Sequence, residues 1–117
     1  MNNRRFCFAL DLKDDPDLIQ QYEAYHRPDG IWPEITAHLH RVGIELMEIY
    51  RTGNRLFMIM EVRDDFTFEK KDKLDEGNPK VAEWEALMWT FQQALPWATK
   101  YEKWVVMEPI FEFNSNH

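Results

Sequence analysis

Two hydrophobic segments joined by a three-residue turn constrain the fold of this chain most strongly. They read IELMEIYR (residues 44–51) and RLFMIMEV (residues 55–62), and Thr52-Gly53-Asn54 connects them. Segments rich in aliphatic residues on either side of a short glycine-bearing connection are typical of a β-hairpin. The sequence therefore predicts an antiparallel sheet built around this hairpin.

Outside the hairpin, the chain alternates between strand and helix patterns. Residues 5–12 (RFCFALDL) carry a large apolar side chain at every second position, which predicts a strand. Asp15-Pro16 and Asn78-Pro79 are typical helix starts, whereas Gly43 and Pro96 mark helix ends. In chain order the predicted elements are a strand at 5–12, helices at 16–26, 32–43, 66–76 and 78–95, and strands at 102–108 and 110–113.

This order predicts an α+β, ferredoxin-like domain with βαββαβ connectivity, if the two early helices count as one broken crossover. The helices are expected on one face of the antiparallel sheet, and the other face is also expected to be apolar. Because 117 residues leave little chain to cover that face, two copies are expected to pair sheet to sheet as a homodimer, a dimeric α/β barrel. Residues 1–117 are expected to form a single domain.

Composition and charge exclude several classes of function. A net charge of −7 without a basic cluster argues against binding to nucleic acid. Cys7 is the only cysteine, so no internal disulfide can form, which fits a reducing, cytoplasmic location. The start of the chain lacks an apolar signal core, and no run approaches the roughly 18 apolar residues of a membrane span. Aromatic residues make up 15% of the chain and suit a core, a sugar-stacking surface or a dimer interface equally well.

Residues 22–35 (YEAYHRPDGIWPEI) gather side chains suited to binding a polar ring and moving a proton. Tyr22 and His26 are four residues apart on a predicted helix, so their side chains lie on the same face. Histidine exchanges protons near neutral pH, and a neighbouring tyrosine can orient a hydroxyl. Trp32 could form a wall of the same site, a combination that suits a sugar. The same spacing also occurs on ordinary helix surfaces, so the spacing alone does not establish catalysis.

Other chemistries find little support in the sequence. The four glycines are scattered, so there is no phosphate-binding loop, and the only serine lies in the C-terminal tail, outside any nucleophile elbow. His38 and His40 point to different sides of a predicted helix. They are therefore expected to be surface residues, and no metal site is predicted.

A series of motifs runs along nearly the whole chain. It consists of a helix ending in Tyr-x-x-x-His, then Ile-Trp-Pro-Glu, a glycine, an Ile-Tyr strand and a helix opening Val-x-x-Trp. The residues that form it are Tyr22 and His26, Ile31-Trp32-Pro33-Glu34, Gly43, Ile49-Tyr50, Val81 and Trp84, followed by residues 108–113. The series resembles the rhamnose mutarotase family of dimeric α/β-barrel proteins, which interconvert the anomers of 6-deoxyhexoses. Asp29-Gly30 reads as a short insertion relative to that family.

Carried over by position, the resemblance implies that His26 is the proton donor and that Tyr22 binds the sugar. The family's Trp-Trp sugar-binding pair corresponds to Trp84 and Glu85, and a substrate-binding tyrosine corresponds to Met47. These departures affect sugar recognition and keep the proton donor, which favours a relative with a different sugar. The chain as a whole, particularly residues 47–58 and 83–92, resembles the branch of the family that acts on L-fucose, although these departures do not by themselves identify that sugar. A carboxylate such as that of Glu85 can accept hydrogen bonds from two hydroxyls, whereas an indole accepts none.

The resemblance also implies an isomerase that acts on a monosaccharide as a cytoplasmic homodimer, with no cofactor or metal. Ring opening needs an acid at the ring oxygen and a base at the anomeric hydroxyl. The hypothesis is that His26 acts at the ring oxygen, while Tyr22, or a water or carboxylate near it, serves the anomeric hydroxyl. Glu45, Glu48 and Glu61 are further candidates for the base, because the strand pattern does not show which way they point.

Three alternatives stay open. The substrate could be L-rhamnose. The chain could be a cofactor-free or haem-linked oxygenase on the same dimeric fold, and a haem protein would show a visible absorption band. It could also be a non-catalytic sugar- or metabolite-binding module in which His26 only forms hydrogen bonds, so that binding occurs without exchange between anomers.

Overall fold

The computed structural model describes residues 4–115, so residues 1–3 and 116–117 of the predicted domain lie outside the described part of the chain. The elements follow the predicted order as far as the fourth helix. They are β1 (Arg4–Leu12), α1 (Pro16–Tyr25), α2 (Pro33–Val42), β2 (Ile44–Thr52), β3 (Arg55–Val62), α3 (Phe68–Glu76), α4 (Pro79–Trp89), β4 (Gln92–Gln93) and β5 (Val105–Val106). Across residues 4–115, none of the helices has the length and apolar character needed to span a bilayer.

The early helices begin and end at residues that either form hydrogen bonds with the free backbone groups or cannot continue a helix. Asp15 caps α1, because its side chain accepts hydrogen bonds from the N–H groups of Asp17 and Leu18. Gly43 ends α2 in the left-handed conformation, at φ 102°, which a residue with a side chain adopts only with strain. In the turn between these helices, a Cβ on Gly30 would collide with the carbonyl oxygen of Ala24. The glycine therefore lets the turn pack closely against the end of α1.

One antiparallel sheet runs in the order β2-β3-β1-β4, and β5 also pairs with β1. Ile49, Met58 and Phe8 lie side by side across β2, β3 and β1, so their side chains share one face. That face packs against residues of all four helices in two adjoining apolar clusters. The structure therefore confirms the predicted α+β, ferredoxin-like arrangement with the helices on one face of the sheet.

The opposite face of the sheet lacks a helical cover among residues 4–115. Because side chains alternate along a strand, Cys7, Phe57 and Ile59 point to this face, where they are half-buried. Leu46 and Tyr50 lie on the same face and are exposed. The open face therefore carries an apolar patch, but charged side chains such as Arg5, Glu48 and Glu61 share it, so it is less uniformly apolar than the sequence predicted.

The end of the fourth helix differs from the prediction. α4 ends at Trp89, not at residue 95, because the N–H groups of Thr90 and Phe91 close a tighter turn on the carbonyls of Leu87 and Met88. Gln92–Gln93 then pairs with β1 as the short strand β4. The apolar spacing that continues to residue 95 concealed this strand, since a helix and a buried turn can share the same pattern.

The strands predicted after α4 are much shorter than expected. Within 102–108, only Val105–Val106 pairs with β1. Residues 110–113 form no strand, and the side chains of Ile110, Phe111 and Phe113 are 97%, 83% and 77% exposed. Alternation of apolar residues produces a strand only beside a free strand edge, and these residues pair with none in the described chain.

Candidate active site

A cavity of about 320 Å³ lies between the sheet and the helices that pack against it. Its floor is apolar and comes from the three long strands, through residues such as Met47, Ile49 and Met58. Its polar side chains come from the helices and from β4; they are Tyr22, His26, His38, Lys71, Asp75, Glu85 and Gln92. An apolar cavity of this size with a few converging polar groups is typical of a small-molecule site.

The backbone at the end of α1 fixes the protonation pattern of His26. Its Nδ1 lies 2.7 Å from the carbonyl oxygen of Tyr22. Because a carbonyl only accepts, Nδ1 carries a hydrogen and donates, which leaves Nε2 without a hydrogen in the neutral ring. Burial lowers the pKa of His26, and the hydrogen bond to the Tyr22 carbonyl opposes that effect only in part. A neutral imidazole with an available Nε2 is therefore the resting form at neutral pH.

The phenol of Tyr22 stands beside this imidazole. The two rings are 4.3 Å apart between centroids, and Tyr22 is almost completely buried. Burial raises the pKa of Tyr22 to about 12, the negative charge of Glu85 adds to this, and a hydrogen bond from Gln92 acts in the opposite direction. The Tyr22 hydroxyl is therefore protonated at neutral pH and can donate a hydrogen bond.

Gln92 is a site residue that sequence reasoning missed. Its Nε2 donates to the Tyr22 hydroxyl oxygen at 3.5 Å, the long limit of a hydrogen bond. Its Oε1 is buried and has no hydrogen-bond partner within the described chain. The sequence offered only a weak signal, a glutamine immediately after a buried phenylalanine at the end of a helix.

Most of the predicted sugar-binding residues come together in the structure. Trp84, Met47 and Glu85 line the same cavity as Tyr22 and His26. The ring of Trp84 packs edge-on against His26, with centroids 5.6 Å apart. The carboxylate of Glu85 lies at the rim, where Lys103 Nζ donates to it at 3.1 Å.

Trp32 does not line the cavity. Its ring packs edge-on against the cavity-lining Trp84, with centroids 5.1 Å apart. It therefore supports a cavity wall and does not form one. Lys80 Nζ lies 5.7 Å from the centroid of its ring.

The three strand glutamates considered as bases lie outside the cavity. Met47 and Met60 point into it, so their neighbours Glu48 and Glu61 point to the open face of the sheet. Glu61 pairs there with an arginine, at 2.7 Å, and Glu45 lies 3.6 Å from another arginine in a second ion pair. Neither the pairing nor the direction of these side chains was readable from the strand pattern.

The prediction for His38 was wrong. It is only 5% exposed, lines the cavity and contacts Asp75 and Asn78. Its burial follows from the docking of α3 and α4 on α2, which helical spacing within α2 does not reveal. His40 is exposed, as predicted. Within residues 4–115, no group of three or more His, Cys, Asp or Glu side chains is arranged to hold a metal ion.

The fold and the cavity together define a ferredoxin-like α+β protein with a candidate small-molecule site that holds a histidine and a tyrosine. Residues 5–113 match the sequence profile of the L-rhamnose mutarotase family. The chain is also 49% identical to the L-fucose mutarotase of Xanthomonas campestris pv. campestris over 104 residues, covering 89% of this chain and 83% of that protein. The chain therefore belongs to the L-rhamnose mutarotase family and, with it, to the mutarotase class of isomerases.

Solved structures agree with this fold. The L-rhamnose mutarotase of Formosa agariphila superposes with a TM-score of 0.68 at 23% identity, covering 95% of this chain and 99% of that chain. The tetracenomycin F2 cyclase of Streptomyces glaucescens gives a TM-score of 0.61 at 15% identity, with 96% and 98% covered. At these identities the superpositions bear on the fold alone, and the cyclase shows that proteins of this fold can carry out a different reaction.

Proposed function

We propose that this chain is a mutarotase of a 6-deoxyhexose and that its substrate is L-fucose. The 49% identity to an L-fucose mutarotase supports the substrate. One geometric observation carries the chemistry: an imidazole of fixed tautomer lies against a protonated phenol in a cavity sized for a monosaccharide. The proposed unit is one cytoplasmic domain spanning residues 1–117.

In the proposed mechanism, the Nε2 atom of neutral His26 accepts the proton of the anomeric hydroxyl. The C1–O1 bond becomes a carbonyl, the bond from C1 to the ring oxygen breaks, and the ring oxygen takes a proton from the Tyr22 hydroxyl or from a water. After rotation about C1–C2 the steps reverse on the other face of the carbonyl, and the imidazolium returns its proton to O1. All transfers are proton transfers, so the reaction requires neither a cofactor nor a metal.

This assignment exchanges the two roles of the sequence-based hypothesis. Burial lowers the pKa of His26, which favours an imidazole that first acts as a base and then donates the same proton. Burial raises the pKa of Tyr22 to about 12, so the phenol stays protonated and has a proton to give to the ring oxygen once that oxygen becomes a more basic alkoxide. His26 thus remains a proton donor, but in the closing half of the reaction.

Sugar binding is assigned to the other cavity residues. The ring of Trp84, which packs against Trp32, offers an apolar surface for the ring carbons. Met47 offers an apolar surface on the sheet side, and Glu85 an acceptor for hydroxyls at the rim.

We further propose that two copies of the chain pair through the open face of the sheet. This face carries an apolar patch that includes Leu46, Tyr50 and Phe57, and it lacks a helical cover among residues 4–115. Covering such a surface is the usual function of a symmetric dimer interface.

Exchange NMR at the anomeric signals of L-fucose and L-rhamnose tests the proposed function. The wild type should accelerate α/β exchange of L-fucose more than that of L-rhamnose. A preference for L-rhamnose would keep the mechanism and reject the substrate. Binding without acceleration of either sugar would reject catalysis and identify a binding module.

A further inference from the structure

A second polar cluster lines the cavity, and the mechanism above does not use it. It consists of His38, Lys71 and Asp75, contributed by α2 and α3. Asp75 Oδ1 lies 2.6 Å from His38 Nε2, and Asp75 Oδ2 accepts from Lys71 Nζ at 2.7 Å. Asp75 and Lys71 keep about a quarter of their side-chain surface exposed, whereas His38 is buried. The acid and the amine can therefore reach a ligand, while the imidazole stays behind them.

A hydrogen bond from the start of α4 determines which ring nitrogen of His38 carries the hydrogen. Asn78 Oδ1 accepts the Lys80 N–H at the start of α4, so its Nδ2 is the atom 3.1 Å from His38 Nδ1. An amide nitrogen only donates, so His38 Nδ1 accepts, and its Nε2–H donates to Asp75. Each carboxylate oxygen of Asp75 thus accepts one hydrogen bond from the protein and keeps one lone pair for a ligand.

The cluster and His26 contact α4 at different positions along its length. Asn78, which contacts His38, and Trp84, which contacts His26, are six residues apart in sequence. Six residues correspond to about 9 Å along a helix axis. Because both groups line the same cavity of about 320 Å³, one sugar ring can contact both of them.

The chemistry of a pyranose then determines which hydroxyls face the cluster. The ring atoms opposite C1 and the ring oxygen are C4 and C3. If His26 and Tyr22 meet the anomeric end, as the proposed function requires, the 3- and 4-hydroxyls point away from them. L-Fucose and L-rhamnose differ at C2 and C4, and the 4-hydroxyl is axial in L-fucose and equatorial in L-rhamnose.

We propose that Asp75 and Lys71 bind the 3- and 4-hydroxyls of the sugar and select the axial 4-hydroxyl of L-fucose. Asp75 accepts from these hydroxyls, and Lys71 donates one of its remaining N–H groups to them. The buried His38 orients Asp75 and does not touch the sugar. This inference rests on the proposed function, because it uses His26 and Tyr22 to orient the ring.

The test compares L-fucose with its 4-deoxy and 2-deoxy forms. Dissociation constants would come from tryptophan fluorescence, since Trp84 and Trp104 line the cavity, and exchange rates from NMR. We expect the wild type to bind 4-deoxy-L-fucose about tenfold more weakly than L-fucose, and 2-deoxy-L-fucose within about threefold of it. D75N should bind L-fucose about tenfold more weakly and discriminate against the 4-deoxy sugar by less than about threefold, the remainder coming from Lys71.

The control D72N makes the same change on the exposed side of α3 and should match the wild type. A purely structural role for Asp75 predicts that D75N weakens all three sugars equally, which would overturn the proposal. Equal binding of L-fucose and its 4-deoxy form by the wild type would overturn it without any variant. Normal 4-deoxy discrimination without anomer exchange would instead overturn the proposed function and leave the hydroxyl contact standing.

Discussion

At the scale of single residues, the tautomer of His26 depends on the backbone and not on another side chain. The carbonyl that holds Nδ1 belongs to Tyr22, one helical turn earlier, so the two residues are positioned by the same stretch of helix. This explains why sequence spacing alone predicted the pair. It does not explain the pKa shifts, which arise from burial under α4 and β4.

The pH dependence of catalysis follows from the lowered pKa of His26. In the proposed mechanism the neutral imidazole is the active form, so kcat/KM should be level above pH 7. It should fall about tenfold per pH unit below the pKa of His26, which lies under 6.5. Anomer exchange measured from pH 4.5 to 8.5 would check this. A rate that falls as the pH rises from 6 to 8 would show that the imidazolium is required at the start.

Removal of the Tyr22 hydroxyl tests its role as a donor. Y22F should lower the exchange rate by about 100-fold, as for loss of one acid–base group. It should change the melting temperature little, because the hydroxyl makes only a long hydrogen bond to Gln92. Y25F, on the same helix, is the matched control and should keep the wild-type rate. Equal rates for Y22F and Y25F would remove Tyr22 from the mechanism.

The residues that sequence reasoning missed have one property in common. Asp75 lies 37 positions from its partner His38, and Gln92 lies 70 positions from Tyr22. Contacts between separate elements have no periodic signature, so helical or strand spacing cannot reveal them. Tyr22 and His26 were predictable because both belong to one element.

At the scale of elements, the start of α4 connects local capping to the cavity. Asn78 caps α4 through its Oδ1 and holds His38 through its Nδ2. The capping signal was visible in the sequence, as Asn before Pro, but the second contact depends on how α4 docks on α2. The ends of α1 and α2 were predicted closely for the same local reason, whereas the end of α4 was not, because tertiary pairing of β4 overrides its apolar spacing.

Asn78→Ala should therefore destabilise the protein more than an ordinary loss of a helix cap. Loss of the cap costs about 1 kcal/mol, and the unpaired Nδ1 of buried His38 adds about 1–3 kcal/mol. Thr67→Ala is the control, because Thr67 caps α3 through one hydrogen bond only. Urea unfolding of both variants would measure the difference. Equal destabilisation would contradict the second role of Asn78.

At the scale of the whole molecule, the helices and the sheet enclose the cavity while the other face of the sheet stays open. The order of the elements predicted helices on one face of the sheet and an uncovered face opposite. The sequence did not predict that 110–113 would lie in solvent, because the fate of an apolar tail depends on which strand edges or partner surfaces are available.

A charge in the centre of the open face should prevent pairing of two copies. Phe57 lies half-buried there, and a glutamate in its place would be left without a partner in the interface. We expect the wild type to sediment as a dimer and F57E as a monomer. K73E introduces the same residue on exposed α3 and should stay dimeric. A monomeric wild type would refute the proposed dimer.

The central claim is that His26 removes the proton of the anomeric hydroxyl and returns it. The most direct measurement is saturation-transfer NMR of α/β exchange in L-fucose with the wild type, H26A and H40A. His40 is exposed and lies outside the cavity, so H40A controls for the loss of a histidine. We predict acceleration by the wild type and H40A, and exchange at the uncatalysed rate with folded H26A. Acceleration by H26A close to that of the wild type would contradict the claim.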